Sequence, residues 1–222
     1  AGERLLPWTA GRASEAAHHL QLAGWRDIGG SLLRVLVLPV SLMAALAMFT
    51  FNLIRGLLNA LLPVMTVQEL GWHHTAFSDL KGMAALVSGI LAMLVGGAIV
   101  ERLGRSRTII AGSLLLGAAS VAMGSLPQMW SVGLTTQVYI SAYVLLDVLA
   151  TIAFLALMMA ICWQRVGATQ FSLYMAIANM GLSSGSALLG PLQSALSYPP
   201  LFLVAAGFAA TVIALVWRLD LP

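Results

Sequence analysis

Charged residues are scarce in this 222-residue chain, at 9% of the sequence, whereas hydrophobic residues make up 60%. Soluble globular domains carry about 25% charged residues, so the composition excludes an ordinary soluble protein and indicates a polytopic membrane protein. Cysteine is almost absent as well. The one cysteine, Cys162, lies in an apolar run, which excludes a disulfide framework and a thiol-based metal site. We expect no cofactor and no bound metal.

The first thirty residues lack an initiating methionine and a signal-like apolar core followed by a cleavage site. We therefore expect the chain to be a fragment of a longer protein or a processed piece. The formal net charge is +3. The basic residues are not clustered on one polar face, so we expect no nucleic-acid partner.

Six apolar segments are long enough to cross a bilayer, for which an α-helix needs about 20 residues. The predicted fold class is therefore all-α, a polytopic bundle of six transmembrane helices. We predict a cytoplasmic linker with a short surface helix over residues 1–34, a transmembrane domain over 35–218 and a cytoplasmic tail over 219–222. The predicted spans are 36–64, 83–100, 109–126, 132–162, 173–196 and 201–217.

The arginines fall in alternate connections between these spans. Because Lys and Arg in short loops stay on the cytoplasmic side, this alternation predicts an even number of crossings with both termini cytoplasmic. The loops on the other side carry Lys81 alone, and Arg55 lies within the first span. The basic residues on the predicted cytoplasmic side are Arg4, Arg12, Arg26, Arg34, Arg102, Arg105, Arg107, Arg165 and Arg218.

Two spans carry small residues at helical spacing, which lets neighbouring helix backbones approach closely. We interpret both stripes as packing faces, which would become functional only if those helices slide. The residues are Ala84, Ser88, Ala92 and Gly96 in the second span, and Gly181, Gly185, Ser186 and Gly190 in the fifth.

Asp147 lies in the middle of the fourth span, where an unpaired charge costs about 3 kcal/mol and usually serves an ion or substrate pathway. Arg55 in the first span lies at comparable depth, about 15 Å from the outer end against about 21 Å for Asp147, at 1.5 Å per residue. We predict that the two side chains pair or exchange partners. The polar residues that share their helix faces, and complete the predicted substrate and proton pathway, are Asn52, Asn59, Tyr139 and Tyr143.

Distinct roles follow for these residues. The planar donors of Arg55 suit an anionic group such as a carboxylate or phosphate, and Asp147 would carry a coupling proton or hold Arg55 ready. The tyrosines and asparagines would supply hydrogen bonds. The alternative is that Arg55 and Asp147 form a structural clamp between two helices.

The sequence GAIVERLGRSR, residues 97–107, joins the second and third spans. Its glycine, acid, basic residue and Gly-Arg pair resemble the signature of the major facilitator superfamily. It departs in Glu101, where aspartate is commoner, and in Ser106, where a basic residue often follows Arg105 directly. The resemblance implies a latch of the cytoplasmic gate; the alternative is a positive-inside turn with an incidental acid. The candidate gate residues are Gly97, Glu101, Arg102, Gly104, Arg105 and Arg107.

We expect a specific task for three of these residues. Gly97 would let a neighbouring helix approach, Gly104 would permit the turn, and Glu101 would pair with an arginine or face a helix N-terminus.

A second segment, ATQFSLYM at residues 168–175, is similar to the superfamily branch of AmpG-type muropeptide permeases and acetyl-coenzyme A transporters. All six spans resemble the C-terminal half of a twelve-helix transporter, which implies that the first, second, fourth and fifth line the cavity. By this resemblance the chain is a proton-coupled secondary transporter in a bacterial inner membrane, moving a small polar or anionic solute by alternating access.

The resemblance implies membrane lipid, a small-molecule solute and protons as partners, with an N-terminal half or a second copy of the chain completing the pathway. The competing interpretation is a non-transporting scaffold or partner-binding subunit that keeps the six-helix bundle.

The run GLSSG at residues 181–185 satisfies a nucleophile-elbow pattern, but an elbow needs a preceding strand and a base. All four histidines precede residue 75, in predicted solvent-side segments. We predict that the chain is not an enzyme. His73 and His74 are adjacent and point in different directions, so we predict no metal site there.

Overall fold

The computed structural model describes residues 38–163 and 166–219 and confirms the all-α prediction, with no strand in these ranges. The short surface helix predicted within residues 1–34, the arginines before residue 38 and Arg165 lie outside the described residues. Six long helices follow one another: α1 (Pro39–Gln68), α2 (His74–Leu103), α3 (Arg105–Ser125), α4 (Gly133–Ile161), α5 (Gly167–Ala195) and α6 (Tyr198–Trp217).

Five of these helices are long and apolar enough to cross a membrane, and α5 is the one that falls short in hydropathy. It is long enough, at 29 residues, but serines, asparagine and glutamine interrupt its apolar residues. Helix α5 packs chiefly along α1, which is the most buried of the six helices. Polar residues of α5 can therefore face protein rather than lipid. The bundle therefore has α1 at its centre, in contact with α4, α5 and α6.

Glycines set the spacing between α1 and α5. A methyl group added at Gly185 would lie 2.8 Å from the carbonyl carbon of Leu53, which is closer than carbon atoms approach in folded proteins. Gly181 faces the α1 backbone in the same way, and Ser186 donates a hydrogen bond to the carbonyl of Gly56 at 3.2 Å. The predicted packing face of the fifth span is confirmed for these residues, but it is wrong for Gly190, which is exposed with nothing described within 4 Å of an added methyl group.

The small-residue stripe of the second span is also confirmed, and its partner is α4. Ser88, Ala92 and Gly96 are buried, and a methyl group at Gly96 would lie 3.1 Å from the side chain of Ile152. Over Ala92–Gly96 the helix widens into a π-helical turn, after which the α geometry resumes over Gly97–Leu103. This wider turn lies directly before the 97–107 motif.

Two helices begin earlier than the hydropathy of the sequence predicts. Helix α2 begins at His74 rather than at residue 83, because the ring of His73 caps its first turn by accepting a hydrogen bond from the backbone N–H of Thr75. Polar residues in the first turns of α2 lower the average hydropathy there, so the hydropathy of the sequence predicts a loop. The placement of Lys81 in a loop is therefore wrong, since it lies inside α2.

Helix α5 begins at Gly167 rather than at residue 173, and a buried polar cluster holds its first turns. Gln170 and Tyr174 are both fully buried and hydrogen-bond each other at 2.9 Å. The Tyr174 hydroxyl also lies 2.6 Å from that of Ser41 on α1, and Gln170 accepts a hydrogen bond from the backbone N–H of Trp163 beyond α4. The 168–175 segment thus joins three helices at the end of the bundle that carries the 97–107 motif, here called the motif end.

Candidate functional site

An ion pair joins α1 to α4 near the middle of the bundle. Arg55 Nε lies 2.5 Å from Asp147 Oδ1. Asp147 is the middle residue of α4, and Arg55 lies close to the middle of α1. Their side chains are only 25% and 16% exposed, and beyond this contact neither atom has a hydrogen-bond partner among the described residues. Each charge therefore depends on the other for neutralisation at a depth where solvation is poor.

Asn52 orients the Arg55 side chain from one turn away on α1. Its side-chain oxygen accepts a hydrogen bond from Arg55 Nη1 at 2.9 Å, while its amide nitrogen donates to the carbonyl of Met48 at the same distance. The second bond fixes which way the amide points. Asn52 is buried, so the amide holds one edge of the guanidinium group while Asp147 contacts Nε.

Asn59 and Tyr143 extend this network away from the motif end, and Asn59 connects it to Lys81. The side-chain oxygen of Asn59 accepts a hydrogen bond from Lys81 Nζ at 2.8 Å and another from the Tyr143 hydroxyl at 3.2 Å. The same hydroxyl donates to the backbone carbonyl of Arg55 at 3.4 Å. The cluster therefore holds two cations and one carboxylate, contributed by α1, α2 and α4.

Lys81 was not among the candidate residues from the sequence, although a signal for it was present. The stripe of small residues in the second span recurs every fourth residue from Gly96 back to Ala84. Continued backwards at helical spacing, it reaches Lys81 and then Phe77, which is buried. The stripe faces α4 and α1, so its continuation places Lys81 on the side of Arg55 and Asp147.

Tyr139 is placed away from this cluster. Its hydroxyl lies 3.1 Å from that of Ser120 on α3, and its ring contacts Phe202 on α6 edge to face. The reason is helix geometry: eight residues separate Tyr139 from Asp147, and at 100° per residue their directions differ by about 80°. Five of the six candidate pathway residues therefore lie together, whereas Tyr139 projects from α4 toward α3 and α6.

The 97–107 motif forms the turn between α2 and α3, and Gly104 makes the turn possible. Its φ of +87° belongs to a region that other residues rarely adopt, and its carbonyl accepts hydrogen bonds from the backbone and hydroxyl of Thr108. Gly97, in contrast, has nothing within 4 Å of the position a methyl group would occupy. No described helix approaches it, so the expectation of a close neighbour there is wrong for this part of the chain.

A groove of about 860 Å³ separates the motif from the end of α4. The wall contributed by α4 consists of apolar residues, namely Ile152, Ala156, Leu157, Ala160 and Ile161. Glu101 is exposed and forms no ion pair within the described residues, so the partner expected for it is not supplied by this part of the chain. The gate residues that line the groove are Gly97, Glu101, Arg102, Gly104, Arg105 and Arg107.

The adjacent histidines have a structural position at the start of α2. His73 Nδ1 lies 2.9 Å from the hydroxyl of Thr75, and both histidine side chains are exposed. Within the described ranges, no three His, Cys, Asp or Glu side chains lie close enough together to hold a metal ion.

The chain was compared with known families, curated proteins and solved structures. The family model described as Major Facilitator Superfamily matches residues 42–222, which include nearly all of the six helices. No curated protein and no solved structure matches the chain. The matching model is that of the superfamily as a whole, so the similarity of residues 168–175 to one branch stays a prediction. The extent of the match, together with the six-helix bundle, shows that the chain belongs to the major facilitator superfamily.

Proposed function

We propose that this chain is the C-terminal half of a secondary active transporter that couples the movement of an anionic solute to that of protons. Membership of the superfamily already makes it a membrane transporter domain. Alternating access between two halves, the use of protons and the charge of the solute are the finer parts of the proposal. An N-terminal half, or a second copy of the chain, provides the facing wall of the cavity.

The observation that supports this function best is the ion pair of Arg55 and Asp147 in the middle of the bundle. While Asp147 is ionised it holds the guanidinium group. When Asp147 takes up a proton, it no longer neutralises Arg55, and an anion can bind the free donors in its place. Release of the anion on the other side leaves Arg55 uncompensated, so Asp147 loses its proton to that side and the pair forms again.

The surroundings of Asp147 suit a proton site. The groups that face it are Arg55 on α1, Lys81 on α2 and, one turn before it on its own helix, Tyr143. Both cations favour the ionised carboxylate, and an anion bound to them would remove that support. Binding of the anion and binding of the proton therefore favour each other in the same cavity, which is what cotransport requires.

The orientation and the gate complete the proposal. The positive-inside rule favours both termini on the cytoplasmic side. The membrane that we propose is the inner membrane of a bacterium. The 97–107 motif then lies at the cytoplasmic end, where its groove and the unpaired Glu101 offer a docking place for the other half. In this arrangement the motif acts as the latch of the cytoplasmic gate.

The test uses the full-length protein as encoded, purified and reconstituted into liposomes that contain a pH-sensitive dye. Gradients of monocarboxylates, dicarboxylates and phosphate esters are applied in turn, and the internal pH is recorded. We expect at least one anion to drive acidification with the parent protein and none to do so with Asp147→Asn. The matched control is Asp79→Asn, which removes an exposed carboxylate from α2 and should leave acidification unchanged.

The same variants separate transport from the structural alternative. If Asp147 only clamps α1 to α4, then Asp147→Asn lowers the melting temperature and the remaining folded protein still moves protons with its anion. Unchanged acidification by folded Asp147→Asn protein would refute the coupling role. A parent protein that moves no proton with any anion would refute proton-coupled anion transport and favour the scaffold interpretation.

A further inference from the structure

Lys81 is a cation on the membrane-spanning helix α2, and among the described residues it faces the carboxylate of Asp147 without pairing with it. It is the only lysine in the 222-residue sequence and lies about 10 Å along α2 from His74, at 1.5 Å per residue. Its ammonium group donates to the neutral side-chain oxygen of Asn59 at 2.8 Å and lies 5.7 Å from the ring centroid of Phe77. It forms no ion pair within the ranges that the structure describes.

The charges of the cluster therefore do not balance. Arg55 and Lys81 contribute two positive charges, and Asp147 contributes one negative charge that Arg55 already engages. Two acids near the end opposite the motif, Glu69 directly after α1 and Asp79 on α2, are exposed and pair with neither cation. The remaining acid of α2, Glu101, lies at the motif end. The cluster is therefore one negative charge short even when Asp147 is ionised. An uncompensated positive charge inside a membrane is costly, so this shortage favours binding of an additional anion.

The network places this second cation beside the first. Asn59 binds both Lys81 and the Tyr143 hydroxyl through one oxygen atom, and that hydroxyl reaches the carbonyl of Arg55. The bond from Lys81 to Asn59 joins a charged donor to a neutral amide. A carboxylate or phosphate oxygen makes a stronger bond with an ammonium group than an amide does, so an arriving anion can replace Asn59.

We propose that the solute carries two negative charges, one bound by Arg55 and the other by Lys81. This inference rests on the proposed function and names the class of its solute. With Asp147 protonated, two positive charges face two negative charges, and the loaded cavity is neutral. A singly charged anion in the same state leaves one cation uncompensated. Tyr143 and the freed amide of Asn59 lie between the two cations, where they donate hydrogen bonds to the body of the solute.

The test measures binding of matched probes to the purified full-length protein. Three dicarboxylates of increasing length, malonate, succinate and glutarate, are each compared with the corresponding monoamide, which has the same skeleton and one charge fewer. Dissociation constants come from the rise in melting temperature with ligand concentration. For at least one pair, we expect the dicarboxylate to bind about tenfold more tightly than its monoamide at low ionic strength.

Variants of Lys81 then assign that difference to this side chain. Lys81→Gln should bind both members of the pair equally, and Lys81→Arg should keep most of the preference for two charges. Asp79→Asn should behave as the parent does. A melting temperature without ligand that matches the parent shows that each variant is folded. Equal binding within all three pairs by the parent, or an unchanged preference in Lys81→Gln, would overturn the proposal.

Chemical labelling gives an independent readout because mass spectrometry can follow Lys81, the one lysine of the 222-residue sequence, in a peptide of its own. Acetylation of Lys81 by an amine-reactive ester, followed by mass spectrometry, should slow about tenfold when the preferred dicarboxylate is bound and hardly at all with its monoamide. Equal protection by both overturns the proposal. If monoamides still drive acidification that depends on Asp147, the proposed transport function stands while the assignment of two charges fails.

Discussion

Replacement of Gly185 by alanine should force α1 and α5 apart. The added methyl group would lie 2.8 Å from the carbonyl carbon of Leu53 and 2.9 Å from the backbone nitrogen of Leu57, and closer still to the Leu53 oxygen. These are backbone atoms of a long central helix, so they cannot move aside as the end of a flexible side chain can. Ordinary van der Waals contact begins at 3.4 Å. Restoring it requires the two helices to separate by about 1 Å, the scale of shift that overpacking produces.

Two effects on the free energy of unfolding oppose each other in Gly185→Ala. Overpacking of a well-packed interface costs about 1–3 kcal/mol. Alanine in place of glycine within a helix stabilises by up to about 1 kcal/mol. Gly190→Ala is the matched control, because Gly190 lies on the same helix with nothing within 4 Å of the added methyl group. We expect Gly185→Ala to be about 2 kcal/mol less stable than Gly190→Ala.

Unfolding of the full-length protein in mixed micelles of increasing denaturing-detergent content, followed by circular dichroism, measures this difference. The change also bears on the site, since Arg55 lies between Leu53 and Leu57 and would move with the α1 backbone. Equal stability of Gly185→Ala and Gly190→Ala would show that α1 and α5 do not pack as closely as the structure has them.

Two further substitutions probe the turn and the buried cluster at the motif end. Gly104→Ala should destabilise the protein by about 1–3 kcal/mol, because φ of +87° strains any side chain, whereas Gly97→Ala, in open space, should not. Comparison of the two melting temperatures checks this, and equal values would contradict it. Tyr174→Phe should cost about 1 kcal/mol, because the buried hydroxyl of Ser41 and the amide nitrogen of Gln170 each lose a hydrogen bond and keep only longer ones, and it should speed amide hydrogen exchange at the start of α5. Tyr198→Phe, which loses only an exposed hydrogen bond, serves as its control and should exchange as the parent does.

The apolar runs of the sequence predict the helices well where lipid or core determines their ends. Helix α4 was expected over residues 132–162 and occupies Gly133–Ile161, and the C-terminal end of α6 at Trp217 was predicted correctly. Such runs are visible because burial in lipid requires consecutive apolar residues. The glycine contacts of α5 were predictable for a similar reason, since close backbone approach requires small residues at helical spacing.

The starts of α2 and α5 were not predictable from hydropathy, because polar contacts determine them. The first turns of α5 depend on hydrogen bonds that join Gln170 to the segment after α4 and Tyr174 to Ser41 on α1, and such single contacts leave no periodic signal. Lys81 is different, because the small-residue stripe continues to it, but the loop predicted over the first turns of α2 concealed that continuation. Depth counting could find the pairing of Arg55 with Asp147, because that contact needs only two charges at similar height.

The π-helical turn at Ala92–Gly96 divides α2 into two mechanical parts. The part before it carries Lys81 and the part after it carries the arginines of the 97–107 motif. A π turn contains one residue more than an α turn, so its return to α geometry would rotate the second part relative to the first by about 100° and shift it by about 1.5 Å. One helix can thus change which side chains it presents at the motif end while Lys81 keeps its position beside Asn59.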